Sequence, residues 1–162
     1  MVKDKPIEAL QCMSLIEEAA AEFYENVSKV IRLARCSAAL AFIATESKNH
    51  ATLLRNLYGE PLPERCPSEL GTAGVSCLQK LTQLTQKIKS GWVPSLKELA
   101  SILEEFVELE HFAGEEVYVQ VAAGALSTQF TRLERNLLMT IAEEERRHLE
   151  VLKLVVEELK SF

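Results

Sequence analysis

The sequence predicts an all-α fold: a four-helix bundle with a long crossover between its second and third helices. Three observations predict it. Apolar residues recur at alternating steps of three and four along four long segments, as one face of a helix requires. Glycine (6) and proline (5) are scarce in 162 residues, and most of them gather between the second and third segments. The remaining gaps between segments are only a few residues long, so the first two helices form one antiparallel hairpin and the last two another.

The first helix is expected from about Pro6 to Ala34, with Pro6 in the first turn, where a missing N–H costs nothing. Its inward stripe is Met13, Glu17, Ala20, Tyr24, Val27 and Ile31. The second is expected from about Ser37 to Tyr58, with Leu40, Ile43, Ser47, His50, Leu54 and Leu57 inward and Gly59 and Pro61 ending it. A crossover follows over about 59–93. It holds Pro61, Pro63, Pro67, Gly71 and Gly74, then a short helix around Cys77–Ile88. Ser95 can cap the third helix, which runs to about Ala123 with Leu99, Ile102, Phe106, Glu110, Ala113 and Val117 inward. The fourth spans about Ser127–Leu159, with Leu138, Ile141, Glu145, His148, Leu152, Val155 and Leu159 inward. Near its start the buried face is expected to drift toward Leu133 and Leu137, leaving Glu134 at the edge. The whole chain, 1–162, reads as a single domain: a hairpin over about 6–58, the crossover, and a hairpin over about 94–160. A crossover of this length can carry the chain along the bundle and let helices two and three run parallel, the ferritin-like arrangement.

The halves resemble each other. Ile43-Ala44-x-Glu46-x-x-x-His50 returns as Ile141-Ala142-x-Glu144-x-x-x-His148, 98 residues later, and Tyr24 returns as Tyr118 after 94. An internal duplication explains the recurrence.

Composition narrows the function. Hydrophobic residues are 48% and charged residues 26%, which suits a globular core. The net charge of −6, with no cationic cluster beyond Arg146 and Arg147, argues against a nucleic-acid partner. No apolar run approaches the roughly 20 residues of a membrane span. The first residues lack the apolar core of a secretory signal, so a cytoplasmic location is expected. The four cysteines (Cys12, Cys36, Cys66 and Cys77) form no Cys-x-x-Cys pair. Free thiols are the favoured expectation, and a Cys66–Cys77 bridge is the alternative in an oxidising compartment.

The informative residues are polar ones on apolar faces: Glu17, His50, Glu110, Glu145 and His148. A carboxylate withdrawn from water unpaired costs several kcal/mol. Few basic residues share these faces, so a metal ion is the simplest partner. Glu145-x-x-His148 places a carboxylate and an imidazole on one side of a helix, in reach of one ion. A lone interior histidine is more often a hydrogen-bonded core residue. Two of them, at matching places in the halves and beside interior glutamates, turn the reading toward a ligand set. Glu110 sits in a generally acidic helix and is the weakest member. The run Glu143–Arg147 otherwise reads as a solvated face on which only Glu145 keeps the inward period.

These motifs resemble the rubrerythrin (erythrin) branch of the ferritin-like superfamily. Glu17-Glu18-Ala-Ala-Ala-Glu22-Phe23-Tyr24 is similar to that family's first-helix pattern, and Ala142–Leu152 to its fourth-helix pattern; the likeness covers essentially the whole chain. It implies a di-iron or similar di-metal site, with Glu17, His50, Glu110, Glu145 and His148 as ligands. It makes Tyr24 and Tyr118 candidates for supporting those ligands; Glu46, one position and about 100° off the buried face of the second helix, is a further candidate that could swing in only with local adjustment. It further implies reduction of hydrogen peroxide or dioxygen, a homodimer, and a separate electron-donor protein, since no rubredoxin-like module is present. The chain departs from the family at Ser47, where a ligand glutamate is expected, and at Ala113. His111, not Glu110, precedes Tyr118 by seven residues. Two ions, one ion or none therefore stay open, as do divalent metals other than iron. The rival functions are an iron-binding or storage-related bundle without turnover and a structural bundle with a degenerate site.

Overall fold

A computed structural model describes residues 5–110, 116–124 and 129–162. Among the described residues there are six helices and no strand: α1 (Lys5–Val30), α2 (Ala34–Tyr58), α3 (Cys66–Lys89), α4 (Leu96–Glu110), α5 (Glu116–Gly124) and α6 (Arg132–Lys160). The chain is an all-α, ferritin-like bundle.

α1 and α2 pack along their length as a hairpin. The turn between them, residues 31–33, starts earlier than the expected break near Ala34. Neither glycine nor proline marks it, so periodicity alone could not place it. Ser37, expected at the start of the second helix, lies in its first turn and donates its hydroxyl to Ser28 O at 2.6 Å, which ties the turn shut. At the other end, Gly59 takes φ +88 and returns its N–H to Arg55 O, a stop that a side chain would strain.

The crossover is more helical than the sequence suggests. α3 begins at Cys66, not near Cys77. Pro67 sits in its first turn, where proline starts a helix rather than breaking one. Only Gly71, at φ +66 and ψ −178, interrupts the helical backbone. Gly74 stays helical and lets α3 come close to Ile16 of α1. A disulfide joins Cys12 to Cys66, with Cα atoms 5.3 Å apart. This corrects both cysteine expectations. Cys66 opens α3 beside α1, whereas Cys77 lies three turns along the same helix and stays outside the bridge as a buried cysteine, as does Cys36.

Ser95 caps α4 as expected, exchanging hydrogen bonds with Glu98. On α4 the buried positions are Leu99, Ala100, Leu103 and Phe106, with Ile102 only half-buried. On α5 it is Tyr118, not Val117, that is fully buried. α6 starts at a Thr131–Glu134 capping box, so Glu134 is held at the helix start by its cap. Leu133 is 67% exposed, against the expected inward drift. The remaining inward stripe of α6 is buried as read.

Helix directions follow from paired residues. His50 meets Glu144 and Glu46 meets His148, so α2 and α6 are antiparallel. On α1, Phe23 meets Phe106 of α4 while the earlier Glu17 meets Tyr118 of α5, so α1 opposes the α4–α5 line as it opposes α2. α4 therefore also opposes α6, and α2 and α4 run the same way, which only a lengthwise crossover allows. Phe23 joins α1 to α4 through Phe106, ring centroids 5.1 Å apart.

Candidate metal centre

Three helices bring four polar side chains into the interior. Glu17 comes from α1, His50 from α2, and Glu145 and His148 from α6; each is less than 7% exposed. Each lies on the apolar stripe of its helix, so burying the neighbouring leucines and isoleucines carries it inward. Fully burying one such apolar chain contributes about 1.5–3 kcal/mol. Several together can offset the desolvation of the charged groups among them.

Nδ1 of His50 lies 2.9 Å from Glu145 Oε1 and 3.5 Å from Glu17 Oε2. Nδ1 of His148 lies 3.3 Å from the same Glu145 oxygen. Despite this closeness, His50 Nδ1 and Glu145 Oε1 are buried and make no aligned hydrogen bond. Buried polar atoms are seldom left so. Donor atoms gathered this closely without aligned partners suit a cation. Glu17, His50 and Glu145 each offer one donor atom, and the three atoms lie within 4.8 Å of one another. Around a single first-row ion, donors with bonds of about 2.0–2.2 Å stand roughly 3–4 Å apart, so a small inward adjustment fits them to one ion. The two imidazoles lie near-parallel, with centroids 5.7 Å apart.

The outer ring nitrogens are fixed by a reciprocal cross-brace. His50 Nε2 pairs with Glu144 Oε2 of α6 at 2.7 Å, and His148 Nε2 pairs with Glu46 Oε2 of α2 at 2.7 Å. A carboxylate on Nε2 fixes that nitrogen as the N–H donor and leaves Nδ1 to face inward as a base. Tyr118 donates its hydroxyl to Glu17 Oε1 at 2.6 Å. The hydroxyl stays protonated, because burial and then the Glu17 charge push it well above the ordinary phenol value.

Electrostatically the metal-free cluster sets buried carboxyl groups against a protonated imidazole. Burial, then the Glu145 charge, raises Glu17 against the opposing pull of His50 and Tyr118. Burial also opposes ionisation of Glu145, but the close imidazoles of His148 and His50 outweigh it and hold that carboxyl at about 2. For His50, burial is outweighed by Glu145 and Glu17, and its pKa rises to about 11. Without another cation, imidazolium is the charge these carboxylates retain.

The structure thus brings Glu17, His50, Glu145 and His148 together. The side chain of Glu110, and His111 and Ala113, lie outside the described residues. Ser47 is buried and occupies on α2 the place that Glu145 occupies on α6. Tyr24 is fully buried against Phe23. Glu144 was missed: it lies one position off the inward period and reads as part of a charged, solvated run. The signal that finds it is the internal repeat, since Glu144 and Glu46 share one place in the duplicated motif. Glu46 needs no displacement of its helix to join the site, because it reaches across to the opposite helix.

A family model described as Rubrerythrin matches residues 8–156. No curated protein and no solved structure gives a match.

Proposed function

Because the chain belongs to the rubrerythrin family, we propose that it is a metal-dependent oxidoreductase, with iron as the metal, that reduces hydrogen peroxide or dioxygen using electrons from a separate donor protein. The observation that carries the reading is the convergence of His50 Nδ1 and Glu145 Oε1, buried and without aligned partners, beside Glu17.

In this reading Glu17, His50 and Glu145 hold one ion. Glu145 and His148 contribute to a second, together with Glu110. When bound, iron supplies the electrons that cleave an O–O bond, one from each of two reduced ions. The chain does the rest. Glu144 and Glu46 keep both imidazoles in the tautomer that faces inward. Tyr118 fixes the rotamer of Glu17 and offers a proton donor on that oxygen. The apolar stripes limit the access of water. Ser47 removes one carboxyl group, yet Glu17, Glu46, Glu144 and Glu145 still place four carboxyl side chains around the two histidines.

The homodimer belongs to the same proposal. Its support is the set of exposed large apolar side chains on α2 and α6: Phe42, Leu133, Met139 and Leu154. The cytoplasmic location is likewise a proposal. No helix among the described residues is long and apolar enough to cross a membrane. The Cys12–Cys66 bridge removes free thiols as an argument for a reducing compartment.

Ser47 favours a second reading, metal held without turnover, because it leaves the two halves of the site unequal. Anaerobic reconstitution with ferrous iron, followed by peroxide addition in the presence of a reductant, separates the two. Bound iron with peroxide-dependent consumption of the reductant is expected. Bound iron that oxidises slowly, with no such consumption, selects the second reading. Protein that takes up no iron contradicts both.

A further inference from the structure

Residues 60–70 lie between two glycines at positive φ, Gly59 at +88 and Gly71 at +66. Both flanks are pinned to α1. Before Gly59, Gln11 donates its Nε2 N–H to Tyr58 O at 2.6 Å. Beyond Gly71, Gly74 is buried, with a backbone so near α1 that a Cβ would stand 3.6 Å from Ile16 Cδ1.

The segment between these flanks has little of its own to hold it. Cys66 is its one buried residue. Leu62 is 45% exposed, and Leu70, beside the Gly71 hinge, packs half-buried against the core. Two ion pairs reach the segment: Arg65 with Glu8 at 2.7 Å and Glu60 with Arg55 at 3.3 Å. Arg65 and Glu60 are both exposed, and such surface pairs hold weakly. The middle of the segment is therefore fixed to α1 by the Cys12–Cys66 bridge.

We propose that this bridge is a redox modification site, opened in the folded protein by a dithiol reductant, and that its opening releases residues 60–70 from α1. Cys12 and Cys66 are buried, but their cover is thin: Glu64, Arg65, Pro67 and Ser68, on either side of Cys66, are all exposed. Stretches with few buried apolar contacts open locally while the rest of a fold stays closed, and such an opening admits the reductant. One thiolate of the dithiol attacks a bridge sulfur and displaces the other cysteine. The second thiolate then closes on its neighbour in the mixed disulfide and displaces the remaining cysteine. The two protons of the dithiol end on Cys12 and Cys66; the bridge is reduced and the dithiol is oxidised to its own disulfide. With the sulfurs parted, the two glycines give the segment backbone freedom that other residues lack. α3 beyond Gly71 stays in place, because Cys77, Leu81, Leu84 and Ile88 remain buried. The proposal needs no metal and stands apart from the functional reading above.

The test treats the folded, metal-free protein with dithiothreitol. Alkylation with mass spectrometry counts the thiols at Cys12 and Cys66, and NMR relaxation gives backbone order parameters. Both cysteines are expected to be alkylated only after the dithiol. Order parameters over 60–70 are expected to fall from about 0.85 to below about 0.6, while those of α1 and of 72–89 keep the rigid value. Cys66→Ser and Cys12→Ser are each expected to give the same pattern without reductant. Thiols that are free before any dithiol is added overturn the proposal, as does a bridge that yields only after denaturation. So does a reduced protein whose residues 60–70 stay rigid. Loosening of α1 or of 72–89 together with the segment overturns it as well, since the bridge would then staple the whole fold.

Discussion

At the scale of single residues, the candidate centre depends on the groups that touch Glu17 and His50 as much as on those two side chains. Glu144 holds His50 through Nε2, and Tyr118 holds Glu17. Losing such an outer partner typically costs about 10–100-fold in metal affinity. Glu144→Gln and Tyr118→Phe are each expected to weaken ferrous-ion binding in that range, measured by competition with a chelator, while the helical content holds. Unchanged affinity in both would remove these residues from the site. The proton balance gives a second prediction. In the metal-free protein His50 is raised from 6.5 to about 11, so its proton stabilises the fold; that contribution is full below pH 6.5 and is lost as pH rises through 11. Glu145, lowered from 4.5 to about 2, contributes stability above pH 4.5 that is lost as pH falls through 2. A metal must displace the His50 proton, so affinity rises with pH across the neutral range. Calorimetric titration at pH 7 in buffers of different ionisation heat is expected to show at least one proton released per ion. The buried polar cluster was legible in the sequence because Glu17, His50, Glu145 and His148 break the apolar period of their stripes. Glu144 was not, because its partner lies on another helix and no helical period reports that.

At the scale of elements, α3 holds the least expected structure. Its early start was obscured because Pro67, Gly71 and Gly74 read as breakers, while one sits in a first turn, one kinks the helix and one permits close packing. The Cys12–Cys66 pair was illegible for a different reason: it depends on two helices meeting, and sequence spacing carries nothing of that. The bridge spans 54 residues of chain. By loop-closure entropy it stabilises the fold by up to about 4 kcal/mol. Cys12→Ser is expected to lower the melting temperature to the same value that the unmodified protein shows in strong reductant, without loss of helicity. If reductant leaves the melting temperature of the unmodified protein unchanged, the bridge does not form. The kink at Gly71, with φ +66, is expected to resist substitution, because a Cβ there is strained even though nothing crowds it.

At the scale of the whole molecule, the cross-brace of Glu46 with His148 and Glu144 with His50 pairs matching positions of the repeated motif across α2 and α6. That much was readable from the repeated Ile-Ala-x-Glu-x-x-x-His, as was the crossover from its length. Ser47 is where the halves differ, buried where α6 has Glu145. Ser47→Glu is therefore expected to destabilise the metal-free protein by several kcal/mol, the cost of a further buried carboxylate. It is expected to raise the number of ions bound and to recover the lost stability once metal is added. The account as a whole rests on a cation meeting the buried carboxylates, and anomalous scattering at the iron edge from iron-reconstituted crystals tests this most directly. The account predicts an anomalous peak in contact with Glu17, His50 Nδ1 and Glu145. A reconstituted crystal with no peak among these residues, and with His50 Nδ1 still 2.9 Å from Glu145 Oε1 as in the metal-free protein, would contradict it.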